Sequence, residues 1–157
     1  MNTRPIENRD VESVLTIQWA SPEIAQWSAQ DYARVARGEM NGWVAEEAEI
    51  VVGFLVARRL ASDLEILNLA VRPDARRCGI GASLLREAFA WGNFFNAEKA
   101  FLEVRASNLA ALHFYERHGF HTSGRRPRYY TAPIEDALLL TAALGRDTNG
   151  FAAKMGT

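Results

Sequence analysis

Two arginines and two glycines follow an apolar run near the middle of the 157-residue chain, in the spacing Arg76-x-x-Gly79-x-Gly81. Pro73 interrupts the run before them, and an apolar pattern with helical spacing comes after them. The first turn of a helix carries unpaired backbone N–H groups and the positive end of the helix dipole, so it attracts anions. Glycines without a Cβ let a bulky diphosphate approach these groups, and Arg76 and Arg77 add charge at the rim. The sequence therefore predicts a diphosphate-binding loop.

The same loop does not fit nucleotide hydrolysis. A P-loop carries Lys and then Ser or Thr directly after its last glycine, whereas Ala82 follows Gly81 in this chain. A Gly-x-Gly-x-x-Gly run is also missing from the sequence. These two departures exclude a Walker-type nucleotide-hydrolysing site.

Glu103 and Tyr115 are the residues whose chemistry suits proton transfer. Glu103 stands in the apolar run Phe101–Val104, where loss of water makes a carboxylate a better base towards an ammonium group. Tyr115 comes seven residues after Asn108, so two helical turns place both on nearly the same face, about 10 Å apart along the axis. A phenol is protonated at neutral pH and can donate a proton. The alternatives are helix–sheet packing for Tyr115, and an ion pair with Arg105 or another basic neighbour for Glu103.

Hydrophobic periodicity places these residues on alternating strands and helices. We predict strands at residues 3–7, 42–46, 50–59, 63–71, 99–105, 119–123 and 135–144, and helices at 11–20, 28–38, 80–91 and 108–118. Gly92-Asn93 is predicted to end the third helix, and Gly119 to end the fourth. The segment 125–130 is predicted to join the last two strands. Residues 1–144 then form one domain, and residues 145–157, which lack periodicity, a flexible tail.

Composition limits the class of protein. Hydrophobic residues make up 48% and charged residues 24%, which is ordinary for one globular domain, and a net charge of -1 argues against direct nucleic-acid binding. Neither a signal region nor an apolar run of membrane-spanning length occurs, and a single cysteine fits a reducing cytoplasm. The three histidines, His113, His118 and His121, lack the spacing of a metal site. The sequence leaves a monomer and a weak dimer open.

Several segments together resemble the GNAT acetyltransferases, and among these the ribosomal-protein-alanine N-acetyltransferases of the RimI type more than the family at large. The matching segments are Arg76–Ala82, Leu67–Val71 with Pro73, Leu102–Asn108 and Phe114–Phe120. The resemblance covers roughly residues 43 to 142. It implies an α/β GNAT fold, a mixed and mostly antiparallel twisted sheet flanked by helices and splayed between two central strands, which end at Val71 and Arg105.

The resemblance also assigns residues to acetyl-CoA, the co-substrate, with no metal involved. The implied acetyl-CoA-binding residues are Leu69, Ala70, Val71, Arg76, Arg77, Cys78, Gly79, Ile80, Gly81, Ala82 and Asn108. Glu103 becomes the general base and Tyr115 the general acid that protonates the CoA sulfur. We interpret Cys78 as a variable loop residue and not as a nucleophile, because no well-placed histidine accompanies it.

Three further residues are implied to bind the acceptor. Trp27 precedes Ser28 as in a Trp-Ser pair of the alanine acetyltransferases, within the two-helix segment that helps to form the acceptor wall. Tyr129 and Tyr130 lie in a segment that covers the acceptor slot. The neighbouring arginines Arg125, Arg126 and Arg128 are interpreted as a solvated charge run.

The resemblance implies direct transfer of an acetyl group from acetyl-CoA to the N-terminal α-amine of a protein, the N-terminal alanine of a small-subunit ribosomal protein. An α-amine has a pKa near 8 against about 10.4 for lysine, so it needs a weaker base. One alternative acceptor is a lysine side chain or a small-molecule amine. A non-catalytic acetyl-CoA-binding regulator is the alternative outside the enzymes.

Overall fold

The computed structural model describes residues 1–145. Its strands are β1 (Asn2–Pro5), β2 (Asn41–Glu47), β3 (Ile50–Leu60), β4 (Asp63–Val71), β5 (Lys99–Arg105), β6 (His121–Thr131) and β7 (Ile134–Ala143). Its helices are α1 (Val11–Trp19), α2 (Ala29–Ala36), α3 (Ile80–Phe94) and α4 (Leu109–Arg117), with short 3-10 turns at Asn8–Asp10 and Pro73–Ala75. The predicted tail, except for Gly145, lies outside the described residues.

The seven strands follow the order β1-β2-β3-β4-β5-β7-β6 in one sheet. The pairs β1/β2, β2/β3, β5/β7 and β6/β7 are antiparallel, whereas β4 and β5 are parallel, through Leu64↔Ala100 and Glu65↔Phe101. The predicted fold class, a mixed and mostly antiparallel sheet with helices, is thereby confirmed. Contacts group the chain into two compact units, residues 1–58 with 66–91 (unit 1) and residues 59–65 with those from Gly92 onward (unit 2). One domain over residues 1–144 stays a prediction.

Unit 1 is built around a buried cluster from its helices and strands. The cluster comprises Ile6, Val14, Ile17, Tyr32, Val35, Val44, Phe54, Val56 and Ala70. A Cβ at Gly42 would lie 2.6 Å from Val35 Cγ1, so the glycine lets α2 pack directly on β2. A capping box formed by Ser28 and Asp31 starts α2, with Asp31 N–H donating to Ser28 Oγ at 3.1 Å.

Asp10 directly precedes α1, but its carboxylate does not cap this helix. It binds residues that come earlier in the chain. It accepts hydrogen bonds from Arg4 Nη1 at 2.8 Å, Arg4 Nη2 at 2.9 Å and Glu7 N–H at 2.8 Å. Burial opposes the charge on Asp10, but the bonds from Arg4 and Glu7 outweigh it and hold its pKa below the usual value. This buried ion pair fixes β1 to the start of α1.

Two boundaries in unit 2 differ from the prediction. Helix α3 continues through Gly92-Asn93 to Phe94. A Cβ at Gly92 would meet Leu64 and Leu144 side-chain atoms at 3.1 Å, so this glycine permits close packing and does not end the helix.

The second difference is the segment 125–130, which lies inside β6 and is not a loop. Strand β6 is at the end of the strand order, and its side chains are exposed or half-exposed along its whole length. An edge strand exposed in this way carries no alternation of apolar and polar residues, and it tolerates Pro127. The periodicity that predicts buried strands was therefore missing here.

Candidate active site

The candidate residues fall into two groups, each inside one compact unit. Unit 1 contains Trp27, the β4 residues 69–71 and the loop 76–82, whereas unit 2 contains Glu103, Asn108, Tyr115, Tyr129 and Tyr130. The geometry of each group shows which of the predicted roles its residues can perform.

The predicted anion loop joins β4 to α3 through a tight, partly left-handed turn. Arg77 has φ +65° and Gly79 has φ +80°, and nothing lies within 4 Å of a Cβ built at Gly79. Ser83 N–H donates to Gly79 O at 3.0 Å, and helix geometry leaves the N–H groups before it without intrahelical acceptors. The loop therefore has the open main chain and free donors that an anion requires.

Arg76 is exposed, and its guanidinium bonds to other residues of unit 1. Its Nε donates to Val71 O at 2.9 Å, and its Nη2 donates to Ser21 Oγ at 2.9 Å. Glu23 Oε1 lies 4.0 Å from Nη2. Arg76 thus links the loop to the end of β4 and to the segment after α1, and Arg77 is exposed as well.

The main chain of β4 stays a predicted contact for acetyl-CoA. Ala70 is buried, and Leu69 and Val71 are half-buried on the opposite face. The Val71 carbonyl accepts the Arg76 bond and retains a second lone pair. Cys78 is exposed, with Sγ 3.6 Å from Arg76 O, which suits a loop residue.

Trp27 is held by a buried polar network. Gln18 is 1% exposed and bridges the Trp27 main chain, accepting from its N–H at 2.9 Å and donating to its carbonyl at 2.8 Å. The Tyr32 hydroxyl donates to Gln18 Oε1 and accepts from Asn68 Nδ2 at 3.0 Å. The Trp27 ring stacks on Tyr32, with centroids 5.5 Å apart. The segment before α2 is therefore fixed to both helices and to β4.

Glu103 lies on β5 with its side chain 18% exposed and in contact with two groups of β6. Oε1 is 2.8 Å from Arg126 Nε. A hydrogen bond with Glu103 is the main cause of a raised pKa at Tyr129, followed by burial. The ion pair considered from sequence therefore exists, but its partner is Arg126. Arg105 instead pairs with Glu135 Oε1 at 3.3 Å.

Tyr130 is packed more deeply than Tyr129. The Arg105 guanidinium lies 4.3 Å from the centroid of the Tyr130 ring, a cation–π contact. The two tyrosine rings meet edge to face at 5.0 Å. Burial is the main reason that the pKa of Tyr130 is raised to about 12. Both phenols are thus protonated at neutral pH and can donate hydrogen bonds.

Tyr115 is 7% exposed and lies in an aromatic cluster, with the Phe114 and Phe120 rings edge to face at 5.1 and 5.3 Å. Burial raises the pKa of Tyr115, so its phenol stays protonated. Its hydroxyl makes no hydrogen bond to any of the residues 1–145 that the structure describes. Asn108 caps α4, accepting from Ala111 N–H at 3.2 Å. Asn108 and Tyr115 belong to one helix, as predicted.

Within the described part of the chain, no group of three His, Cys, Asp or Glu side chains is placed to hold a metal ion. No helix in residues 1–145 is long and apolar enough to cross a membrane.

Residues 9–120 match the sequence model of the acetyltransferase (GNAT) family, which is most of the chain. This protein belongs to the GNAT acetyltransferases. It is 33% identical over 139 residues to a putative ribosomal protein bS18-alanine N-acetyltransferase of Bacillus subtilis, covering 87% of this chain and 91% of that protein. It is 32% identical over 125 residues to an N-alpha-acetyltransferase of Sulfurisphaera tokodaii, covering 77% of this chain and 73% of that protein.

The fold agrees with these similarities. The crystal structure of the ribosomal-protein-S18-alanine N-acetyltransferase from Escherichia coli superposes with a TM-score of 0.81 at 25% identity, covering 92% of this chain and 94% of that one. One relative is much longer: the chain matches an uncharacterized Mycobacterium leprae protein at 34% identity over 119 residues but spans only 32% of its length.

In this acetyltransferase, changing Gly79 to alanine should weaken acetyl-CoA binding about tenfold. A Cβ at φ +80° costs about 1–2 kcal/mol, and relief of that strain turns the loop N–H groups away from the diphosphate. Isothermal titration calorimetry with acetyl-CoA measures the change. Gly38→Ala is the matched control, because Gly38 also has positive φ (+91°) and an open Cβ position. An equal loss of affinity in both variants would contradict a specific role for the loop.

The contact between Arg126 and Glu103 was not predicted from the sequence, in which Arg126 is interpreted as part of a solvated run of charges. The sheet register places Glu103 opposite Leu139, and Arg126 opposite Ala137, two residues away on β7. Positions two apart on a strand share a face, so the ion pair could have been found once β6 was recognised as a strand. The small side chain of Ala137 leaves room for the guanidinium to reach diagonally.

Proposed function

We propose that this enzyme transfers the acetyl group of acetyl-CoA to the N-terminal α-amine of a protein, and that its acceptor is the N-terminal alanine of a small-subunit ribosomal protein. The observation that carries the proposal is the pair of proton-transfer groups in unit 2. Glu103 is a half-buried carboxylate, and Tyr115 is a buried phenol with no hydrogen-bond partner among the described residues. The names of the Bacillus subtilis and Sulfurisphaera tokodaii relatives support an α-amine acceptor.

The reaction needs a bound donor, a neutral amine and a proton for the leaving thiolate. The main-chain N–H groups of residues 78–82 would hold the diphosphate, with Arg77 as a nearby positive charge. Glu103 takes a proton from the acceptor ammonium, and the neutral amine attacks the thioester carbonyl. Tyr115 donates its proton to the departing sulfur. No residue forms a covalent intermediate in this scheme, and Cys78 takes no part in the reaction.

The proposal also includes the residues that bind the main chain of the acceptor. Tyr129 and Tyr130 present phenol groups from β6, and Trp27 presents an indole ring fixed by Gln18 and Tyr32. A protein N-terminus differs from a lysine side chain in having a peptide carbonyl directly beside the reacting amine, which a phenol can bind. We place the reaction in the cytoplasm, where ribosomal proteins are made.

Peptides with free and blocked N-termini test the acceptor class. We expect a peptide that begins with alanine and contains an internal lysine to gain one acetyl group, located on the α-amine by tandem mass spectrometry. The same peptide with an acetylated N-terminus should remain unmodified. Equal acetylation of lysine in the blocked peptide would show a side-chain or small-amine acetyltransferase instead.

A further inference from the structure

Arg126 is the one arginine of the segment 125–130 whose side chain pairs with Glu103, the candidate base. Its Nε lies 2.8 Å from Glu103 Oε1, so the two side chains form an ion pair. The Arg126 side chain is 58% exposed, whereas that of Glu103 is 18% exposed. The partly buried carboxylate therefore receives its counter-ion from a residue that small solutes can reach.

The backbone of β6 is shaped to bring two groups to Glu103. The register shifts between Arg126 and Tyr130, so residues 127–129 bulge opposite Asp136. Asp136 holds the bulge, accepting from Arg128 N–H at 2.9 Å and from Arg125 Nη1 at 2.6 Å. Arg126 just before the bulge pairs with Glu103, and Tyr129 at its end lies near enough for Glu103 to raise its pKa.

Two other charged residues lie near this site, Arg105 and Glu65. Arg105 is bound by Glu135 and by the carbonyls of Ala132 and Pro133, and it lies over Tyr130. Glu65 on β4 contributes negative charge near Tyr129. Arg126 is therefore the cation that bonds directly to the Glu103 carboxylate.

We propose that Arg126 is a positioning residue for amine deprotonation, holding the Glu103 carboxylate in one orientation while leaving lone pairs for the acceptor. A carboxylate offers about four lone-pair directions, and one guanidinium and one phenol leave room for an amine N–H or a bridging water. Orientation matters because a carboxylate oxygen must face the acceptor ammonium to take its proton. This inference rests on the proposed function, in which Glu103 is the base.

Chemical rescue tests the role of the guanidinium. We expect Arg126→Ala to lower kcat about tenfold or more, because Glu103 loses its charged partner, with the KM for acetyl-CoA unchanged. Millimolar guanidinium added to this variant should restore a large part of kcat, because the exposed site admits the ion. Arg126→Lys should retain more activity than Arg126→Ala, since it keeps the positive charge.

Arg128→Ala is the matched control. Arg128 is exposed two residues away, and its guanidinium has no partner within residues 1–145. This variant should keep the parental kcat and should not respond to guanidinium. A folded Arg126→Ala with parental kcat, or a loss that guanidinium does not restore, would overturn the inference and leave the proposed function intact. A parent enzyme inactive on every amine would overturn the two together.

Discussion

Replacing Tyr115 with phenylalanine should lower kcat by about a hundredfold or more and leave the affinity for acetyl-CoA nearly unchanged. The expected loss is that of a general acid, because the departing CoA thiolate then has to take its proton from water. Burial raises the pKa of Tyr115, so the phenol is protonated across the pH range of an assay. Single-turnover kinetics with saturating acceptor give the rate of the chemical step, and calorimetry gives the acetyl-CoA affinity.

The fold should tolerate this change, which makes the kinetic result easy to interpret. The Tyr115 hydroxyl makes no hydrogen bond to a residue that the structure describes, and the ring keeps its contacts with Phe114 and Phe120. Tyr32→Phe is the contrasting variant for stability, because the Tyr32 hydroxyl bonds Gln18 and Asn68 inside the core. It should lower the free energy of unfolding by about 1–2 kcal/mol, whereas Tyr115→Phe should change it little. A Tyr115→Phe enzyme with parental kcat would remove the phenol from the mechanism.

The sequence predicted the structure correctly where interactions between neighbouring residues determine it. The Ser28–Asp31 capping box, the Asn108 cap and Gly119 at φ +94° bound α2 and α4 where the pattern predicted them. The strict alternation in β5 separated buried Leu102 from half-buried Glu103. These features depend on a few neighbouring residues, so a single chain contains the information for them.

The features that were not predicted from the sequence depend on residues that lie far apart along the chain. Gly92 lies inside α3 because Leu64 and Leu144 pack against it, and neither is a sequence neighbour. The Arg76 guanidinium is held by Ser21, 55 positions earlier, which accepts its hydrogen bond. Arg126 reaches Glu103 only through the register of β5, β6 and β7. Residue types and the family resemblance predicted Glu103 as a base and Tyr115 as an acid, but the partner of Glu103 required the pairing of strands.

Changing Glu103 to glutamine should lower kcat/KM for an α-amine acceptor by about a hundredfold near neutral pH. The expected loss has a definite pH dependence that follows from the acceptor. An α-amine has a pKa near 8, so at neutral pH most acceptor molecules carry the proton that Glu103 must remove. Above pH 8 the neutral amine predominates, and the deficit of the variant relative to the parent should shrink. The ratio of kcat/KM between parent and variant, measured from pH 6 to pH 9, checks this.

A second measurement on the Glu103→Gln variant does not depend on catalytic turnover. The hydrogen bond with Glu103 is the main cause of the raised pKa of Tyr129, so Glu103→Gln should lower that pKa, as followed by NMR titration of labelled tyrosine. Glu98→Gln is the matched control, because Glu98 is an exposed carboxylate of the same unit and its loss should affect neither measurement. If Glu103→Gln lowered the pKa of Tyr129 but the kinetic deficit were equal at pH 6 and pH 9, Glu103 would orient the acceptor through Tyr129 and another group would remove the proton.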